Sequence, residues 1–374
     1  MKVAVIPTIR DYPWGAPGHC MGELVRALLE ADHEVLWFVA PIDSKHPEVM
    51  KLAKEGAKVQ MLPDPAPTYV RAKELRQAVR QLRGWKTTAE LVNAFGVQHV
   101  FLSQGGTWCG MREEFWRCLE PGRYSLICHL NQPQPAFSDT KRSRAHKFIR
   151  QAKWVYFNSE WTRQLAEDQL AEKIPNSQFF HYPLRDRTDA PLPWPDNVLP
   201  QLAMVNRLDT YHKGLDVAFH AFAFLRNEGH RFTVKLYGNG ADEAYLRNLA
   251  AYLKVTSVVH FCGYSADLPG IWSRNELLVL PSRFEGSPVS MLEAMAFGRP
   301  VLRTAYGGAS EWIEDGVNGY LCSAAEVTLL CDALRRALAE RARWREMGLA
   351  AHSKTQRELS REPGKVFLAS LEDG

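Results

Sequence analysis

Residues 282–304, SRFEGSPVSMLEAMAFGRPVLRT, decide how this chain is read. The apolar tetrad 277–280 ahead of them reads as a buried strand, and 301–304 reads as the next one. Between the two, Ser287 suits a helix N-cap and Pro288 the first helical position. The apolar spacing then predicts a helix to about Phe297. Gly298 offers the left-handed residue that closes helices, and Pro300 bars continuation. Strand, helix and strand in this order imply a parallel crossover. The amides around Val289 and Ser290 have no intrahelical acceptor and sit at the positive end of the helix dipole, which makes a phosphate-type anion site. Glu285 lies just ahead of the cap, and Glu293 lies about 7.5 Å along the axis at 1.5 Å rise per residue. Two carboxylates therefore bracket the anion, one toward a sugar and one toward a ribose. An ordinary cap with a solvated Glu293 is the plainer alternative. The apolar neighbours of Glu293 speak against it, because a buried carboxylate needs a partner.

Working outward, the same alternation recurs. Strand patterns fall at 2–6, 35–39, 58–62, 100–102, 124–130 and 154–158, and restart at 202–205, 232–237, 258–261, 277–280 and 301–304. Helical patterns lie between most of them, as at 19–30, where Met21, Leu24, Val25, Leu28 and Leu29 share a face. Residues 186–198 are rich in proline and poor in periodic apolar positions, and read as a linker. The expected architecture is α/β. Two Rossmann-like, doubly wound parallel-sheet domains face each other across a cleft, the first over 1–185 and the second over 199–350. A tail, 351–374, packs its helix back on the first domain. In such sheets ligands bind beyond the carboxyl ends of the strands, so chemistry is sought in the loops that follow them.

Several of those loops carry usable groups. In NRLDTYHKG (206–214) Arg207 closes a strand and Lys213 precedes a helix, so a guanidinium fork and a point charge could clamp a diphosphate. Two solvated basic residues would look the same. In YPWGAPGH (12–19) Gly15 and Gly18 let backbone amides approach a ligand, although the dinucleotide G-x-G-x-x-G pattern is absent. His129 ends a strand on the same rim, where a structural histidine is the alternative. Gly238 and Gly240 form a turn after one strand, and Gly263 and Tyr264 follow another. Trp108 offers an aromatic face for a sugar, with core packing as its plainer reading.

Glu285 and Glu293, with seven residues between them, match the E-x7-E element of retaining nucleotide-sugar glycosyltransferases of family four, which have the GT-B type fold. F-E-G-S-P, L-E-A-M-A-F-G-R-P-V, Gly307-Gly308 and E-x-x-x-D-G-x-N-G (311–319) fit that family in order. The chain resembles it over the whole second half and in the layout of the first. The resemblance implies roles residue by residue. Arg207 and Lys213 would lie on the donor diphosphate, and Glu285 on the donor sugar. Glu293 would take the ribose, and Gly263 with Tyr264 the nucleobase. Gly286, Ser287 and Val289 would form the anion cradle, Gly15 and Gly18 would lie opposite the diphosphate, and Gly238 would shape a neighbouring turn. His129 resembles the histidine that contacts the donor sugar. Asn206 departs from the glycine often found there. The implied reaction is metal-independent and retaining, with no cofactor beyond the nucleoside-diphosphate sugar.

Composition narrows the classes. The chain has 374 residues, 46% apolar and 24% charged, which excludes disordered, collagenous and coiled-coil classes. No apolar stretch approaches the ~18 residues of a membrane span. The start, MKVAVIP, does not read as a secretory signal. The seven cysteines form no C-x-x-C, favouring reduced thiols in a cytoplasmic protein. No D-x-D, H-E-x-x-H or Cys/His cluster suggests a metal, so cations and helix amides must neutralise the leaving diphosphate. Residues 1–185 hold 25 Lys and Arg against 19 Asp and Glu, concentrated in runs at 71–86 and 141–153. Solvated helix faces explain such runs. An anionic surface or acceptor, such as a membrane lipid or nucleic acid, would explain them too, and would place the protein peripherally at a membrane. The expected partners are thus a nucleotide sugar and a hydroxyl-bearing acceptor, whether glycan, lipid or small molecule. Rival functions are a nucleotide-sugar epimerase or sugar phosphorylase on the same fold, and a non-catalytic subunit of a transferase. The joint presence of Arg207, Lys213, Glu285 and Glu293 argues against a decayed site.

Overall fold

The computed structural model describes residues 1–8, 14–62, 87–111, 116, 119–131 and 137–372. The basic run 71–86 lies outside the described residues. The chain divides into two units, one of residues 1–183 with 360–374, the other of residues 184–359.

The first unit is built on a parallel sheet of seven strands: β1 (Lys2–Pro7), β2 (Glu34–Val39), β3 (Lys58–Met61), β4 (His99–Gly106), β5 (Tyr124–Leu130), β6 (Val155–Phe157) and β7 (Ser177–Phe179). Their spatial order is β3-β2-β1-β4-β5-β6-β7. The middle strands are buried on both faces, which is why they read as unbroken apolar runs such as VAVI in β1. The first helix, Ala16–Glu30, begins three residues before the apolar periodicity, with Gly15 at its N-cap and Pro17 in its first turn. The chain returns to this unit at its end. Phe367 is buried against the rings of Phe101, Tyr156 and Phe180.

The second unit is a parallel sheet of six strands: β8 (Gln201–Val205), β9 (Thr233–Tyr237), β10 (Val259–Gly263), β11 (Leu277–Leu280), β12 (Val301–Thr304) and β13 (Gly319–Cys322). Its order is β10-β9-β8-β11-β12-β13. Helices Leu215–Asn227, Val289–Ala296 and Val327–Ala339 cover it, each with a buried apolar face. Residues 186–198, expected as a linker, are part of this unit. Wholly buried Arg299 donates to the carbonyls of Leu192 and Pro193, and Leu192 N–H donates to Phe297 O. Helix Trp344–Glu358 also belongs here, tied by Arg187 donating to Leu359 O at 2.7 Å. The return to the first unit therefore begins at 360 rather than 351.

Candidate active site

In the second sheet the strand order reverses direction between β8 and β11, so the connections leaving these adjacent strands run to opposite sides, one toward β9 and the other toward β12. A crevice at such a point is where open α/β sheets bind ligands. The loops concerned are 206–214 and 281–288, the two segments the sequence singled out.

The first loop ends in a short helix, Thr210–Lys213, capped by Asp209, whose carboxylate accepts from His212 N–H at 3.1 Å. The same carboxylate takes His212 Nδ1 at 2.8 Å and Arg207 at 2.9 Å. Burial pushes Asp209 up, but these bonds and charges outweigh it and hold the acid below its usual range. Gly214 then turns the chain with φ +62°, and a Cβ there would stand 2.1 Å from Pro281 O. Only glycine meets both demands. The second loop is laced to the first. Arg283 N–H donates to His212 O at 2.8 Å, and the Arg283 guanidinium grips both oxygens of Asp216 at 2.7 and 2.8 Å.

This lacing brings Lys213 to Glu285. The ammonium donates to both carboxylate oxygens, at 2.7 and 2.8 Å, with side chains only 17% and 13% exposed. Helix Val289–Ala296 starts just beyond Glu285, its first amides without intrahelical acceptors. Ser287 does not cap it. The helix opens one residue later than expected, Pro288 occupies the N-cap, and the buried Ser287 hydroxyl has no protein partner. A proline N-cap offers no side-chain acceptor, so the helix start stays open. Thr210 Oγ1 and both amide atoms of Asn206 are likewise buried without protein partners. Buried polar atoms are ordinarily paired, and here unpaired ones gather on the two loops at the reversal. Gly286 lies against the loop after β12, its carbonyl accepting from Gly308 N–H at 3.1 Å.

The remaining expected residues have varied places. Glu293 is 2% exposed, as its apolar flanks required, and its Oε1 accepts from Arg185 Nε at 3.1 Å. Burial pushes its acid up against the pull of Arg185. Arg185 also interacts with Tyr264, whose ring is exposed. Arg185 is the last residue of the expected first domain, 1–185, but belongs to the second unit, and nothing in its spacing marks it. Gly238 has φ +134°, and a Cβ there would stand 1.9 Å from Asn206 O, so this glycine lets two rim loops touch backbone to backbone. Gly263 closes β10 and accepts from Gly238 N–H at 2.8 Å.

In the first unit Gly15 and Gly18 line an apolar hollow with Pro7, Trp14, Trp37 and Ser103. A Cβ on Gly18 would stand 2.8 Å from the Trp14 ring, so indole packing accounts for that glycine. His129 is buried with both ring nitrogens occupied, at 2.9 Å by Ser103 Oγ and 2.9 Å by Tyr182 OH. Burial drives it down to about 3, which keeps it neutral. This is the structural alternative for His129 rather than a side chain offered to a sugar. Trp108 is likewise buried, with its N–H on Gln169. The run 141–153 is mostly engaged within its own unit. Arg142 pairs with Asp139, Arg150 with Glu172, and Lys141 covers the Phe137 ring at 4.0 Å. Among the described residues no three His, Cys, Asp or Glu side chains cluster as metal ligands. No described helix is long and apolar enough to cross a membrane.

Two parallel-sheet α/β units with this strand order are the fold of GT-B glycosyltransferases, and comparison with solved structures agrees. Sucrose-phosphate synthase from Thermosynechococcus elongatus superposes with a TM-score of 0.75 over 99% of this chain and 98% of its own, at 19% identity. Anabaena HepE, solved in complex with UDP, superposes at 0.73 over all of both chains, at 16% identity. Residues 199–340, which carry the loops described above, match the family model Glycosyl transferases group 1. Among curated proteins, the amylovoran biosynthesis glycosyltransferase AmsK of Erwinia amylovora is 30% identical over 51% of this chain and 47% of its own length. An uncharacterized glycosyltransferase of Haemophilus influenzae is 31% identical over 34% of this chain and 38% of its own length. The chain thus matches less than half the length of these relatives.

Proposed function

We propose that this protein is a glycosyltransferase that moves a sugar from a nucleoside-diphosphate sugar to a hydroxyl-bearing acceptor, with retention at the anomeric carbon and without a metal ion. The observation that carries the reading is the Lys213–Glu285 pair. A bidentate, largely buried ion pair stands at the open start of a helix, where unpaired polar atoms gather.

In this reading the donor diphosphate occupies the helix start, and Lys213 turns from Glu285 to the leaving phosphate. Arg207 reinforces it from the neighbouring turn. The amides of Val289 and Ser290 accept the charge that grows as the glycosidic bond breaks. Released from the ammonium, Glu285 orients the sugar hydroxyls and supports positive charge at the anomeric carbon. A phosphate oxygen takes the acceptor proton on the face the leaving group vacates, so Glu285 is not a covalent nucleophile. Glu293 holds the ribose, and Gly263 with Tyr264 flank the base. Because HepE was solved with UDP, uridine donors are the first to try.

The test is a binding and turnover panel. Nucleoside diphosphates and their sugars are titrated by calorimetry, and the tightest donor is incubated with and without hydroxyl acceptors. Product that depends on acceptor, with only slow hydrolysis in its absence, is expected. Isomerised donor without acceptor would mean an epimerase. Phosphate-dependent cleavage would mean a phosphorylase. No affinity for any nucleotide would end the reading. Running the same assay across salt concentrations decides whether the acceptor is anionic, since each neutralised phosphate steepens the salt dependence.

A further inference from the structure

The loops that leave β8, β11 and β12 each bring one aromatic ring to the same place, and neither the motifs nor the family resemblance gives these rings a task. The Tyr211 ring lies 5.4 Å from that of Phe284, tilted by 31°, and Phe284 meets Tyr306 edge to face at 5.8 Å. The His212 ring stands 5.0 Å from Tyr211 and perpendicular to it. This row borders the ion pair. Lys213 follows His212 and Glu285 follows Phe284, with ammonium and carboxylate 2.7 Å apart. The rings are not what holds the loops together. Arg283 does that, through Asp216, the carbonyl of Thr210 and its own N–H on His212 O. Phe284 and Tyr306 are half-buried, while Tyr211 remains 66% exposed at the outer end of the row. A single exposed tyrosine is ordinary, but one braced by further rings at the edge of a ligand crevice is a built surface.

Resting on the transferase reading above, we propose that this row is an acceptor platform and that the acceptor is a carbohydrate whose pyranose ring lies on Tyr211. The C–H bonds on one side of a sugar ring form an apolar face of partial positive charge, and the face of an aromatic ring is negative. The sugar hydroxyls project from the edge of such a stack and stay hydrated, which a tyrosine with its polar tip allows. A lipid tail has no such edge and is met by broad aliphatic surface, whereas this patch consists of rings. The position also suits transfer. The row starts one residue from Glu285, which the reading places on the donor sugar, so an acceptor ring stacked there stands beside the bond that breaks.

The experiment measures transfer from the tightest-binding UDP-sugar to methyl glycosides of the common hexoses, to glycerol and to farnesol, with wild type, Tyr211→Ala, Tyr211→Leu and Tyr211→Phe. Tyr211 is mostly exposed, so its replacement costs the fold little. A methyl glycoside should be the preferred acceptor. Tyr211→Ala should raise its KM at least tenfold with kcat within threefold of wild type, while UDP calorimetry gives a Kd within threefold. Tyr211→Phe keeps the ring and should stay within threefold of the wild-type KM. Tyr211→Leu keeps apolar bulk without a ring and should behave as the alanine variant does. A leucine variant that matches wild type would mean generic apolar contact and overturn the proposal, and so would an alanine variant with unchanged KM. Preference for farnesol or glycerol, or transfer to none of the glycosides by a protein that binds UDP, would overturn it while leaving the donor site in place. Wild type that neither binds UDP nor transfers would overturn the transferase reading and this inference with it.

Discussion

Replacing Lys213 with methionine removes the charge and keeps most of the chain that covers Glu285. At about 3 Å and an effective dielectric of ~20, a unit charge interacts with another by roughly 5–6 kcal/mol. The leaving diphosphate gains about one unit of charge as the glycosidic bond breaks. Water meets part of that charge in the variant, which leaves about 3–4 kcal/mol of lost stabilisation, or a 10²–10³-fold fall in kcat. The low exposure of both side chains argues for the upper half of that range, since solvent screens them little. Binding should suffer less, because in the free protein the ammonium must first leave Glu285, and that cost offsets much of its attraction for the ground-state diphosphate. Initial rates of sugar transfer, followed by separation of donor and product, give kcat, and UDP calorimetry gives Kd. The companion Glu285→Gln sharpens the logic. It releases Lys213, so UDP should bind at least as tightly as to wild type while kcat still falls at least tenfold. Transfer by Lys213→Met within threefold of wild type would refute the reasoning, and so would a Glu285→Gln variant that loses UDP.

Further expectations concern the scaffold. Gly214→Ala places a Cβ 2.1 Å from Pro281 O at a positive φ and should cost about 2–4 kcal/mol, read as a lower urea midpoint; an unchanged midpoint would show that the two loops can separate freely. Phe367→Ala should lower the stability of the first unit by about 3–5 kcal/mol and spare UDP binding to the second, so a single shared unfolding transition that moves both would count against independent units. Asp216 is raised by burial but held below its ordinary value by the bonds and charge of Arg283. Its contribution to stability is complete above the unfolded value of about 3.8 and disappears as pH falls through the lower folded one. Asp216→Asn should therefore reduce the urea midpoint at pH 7 and flatten its fall below pH 4; parallel curves for variant and wild type would contradict the assignment.

The strand and helix pattern was readable where burial enforces it. Strands covered on both faces must be apolar throughout, so VAVI of β1 and LLVL of β11 announce themselves. The strands without that signature were passed over. β7, SQF, is a three-residue edge strand that is largely exposed, and β13, GYLC, is a four-residue edge strand that starts on Gly319, the last residue of the acidic and glycine element 311–319. The candidate site residues divide along the same line. Lys213, Glu285 and Glu293 were reachable because spacing along one loop or one helix fixes where they stand. Their partners are set by tertiary packing, which no local pattern records. Arg185 reaches Glu293 from a segment more than a hundred residues earlier, and Asp216 reaches Arg283 across 67 positions. The Ser287 cap failed for a related reason. A serine before a proline suits a helix start by propensity, yet the backbone here is fixed by Gly307 and Gly308 against residues 285 and 286, and that contact moves the first helical residue to Val289. Arg303 shows the limit most clearly. In sequence it is one charged residue interrupting an apolar strand, a feature that usually marks an exposed face. Only the helix packed on β12 shows that it points inward, with its guanidinium against Met291 Sδ of helix Val289–Ala296. A buried guanidinium needs acceptors, and Arg303 finds them in the carbonyls of Thr304 and Tyr306, partners that no motif records.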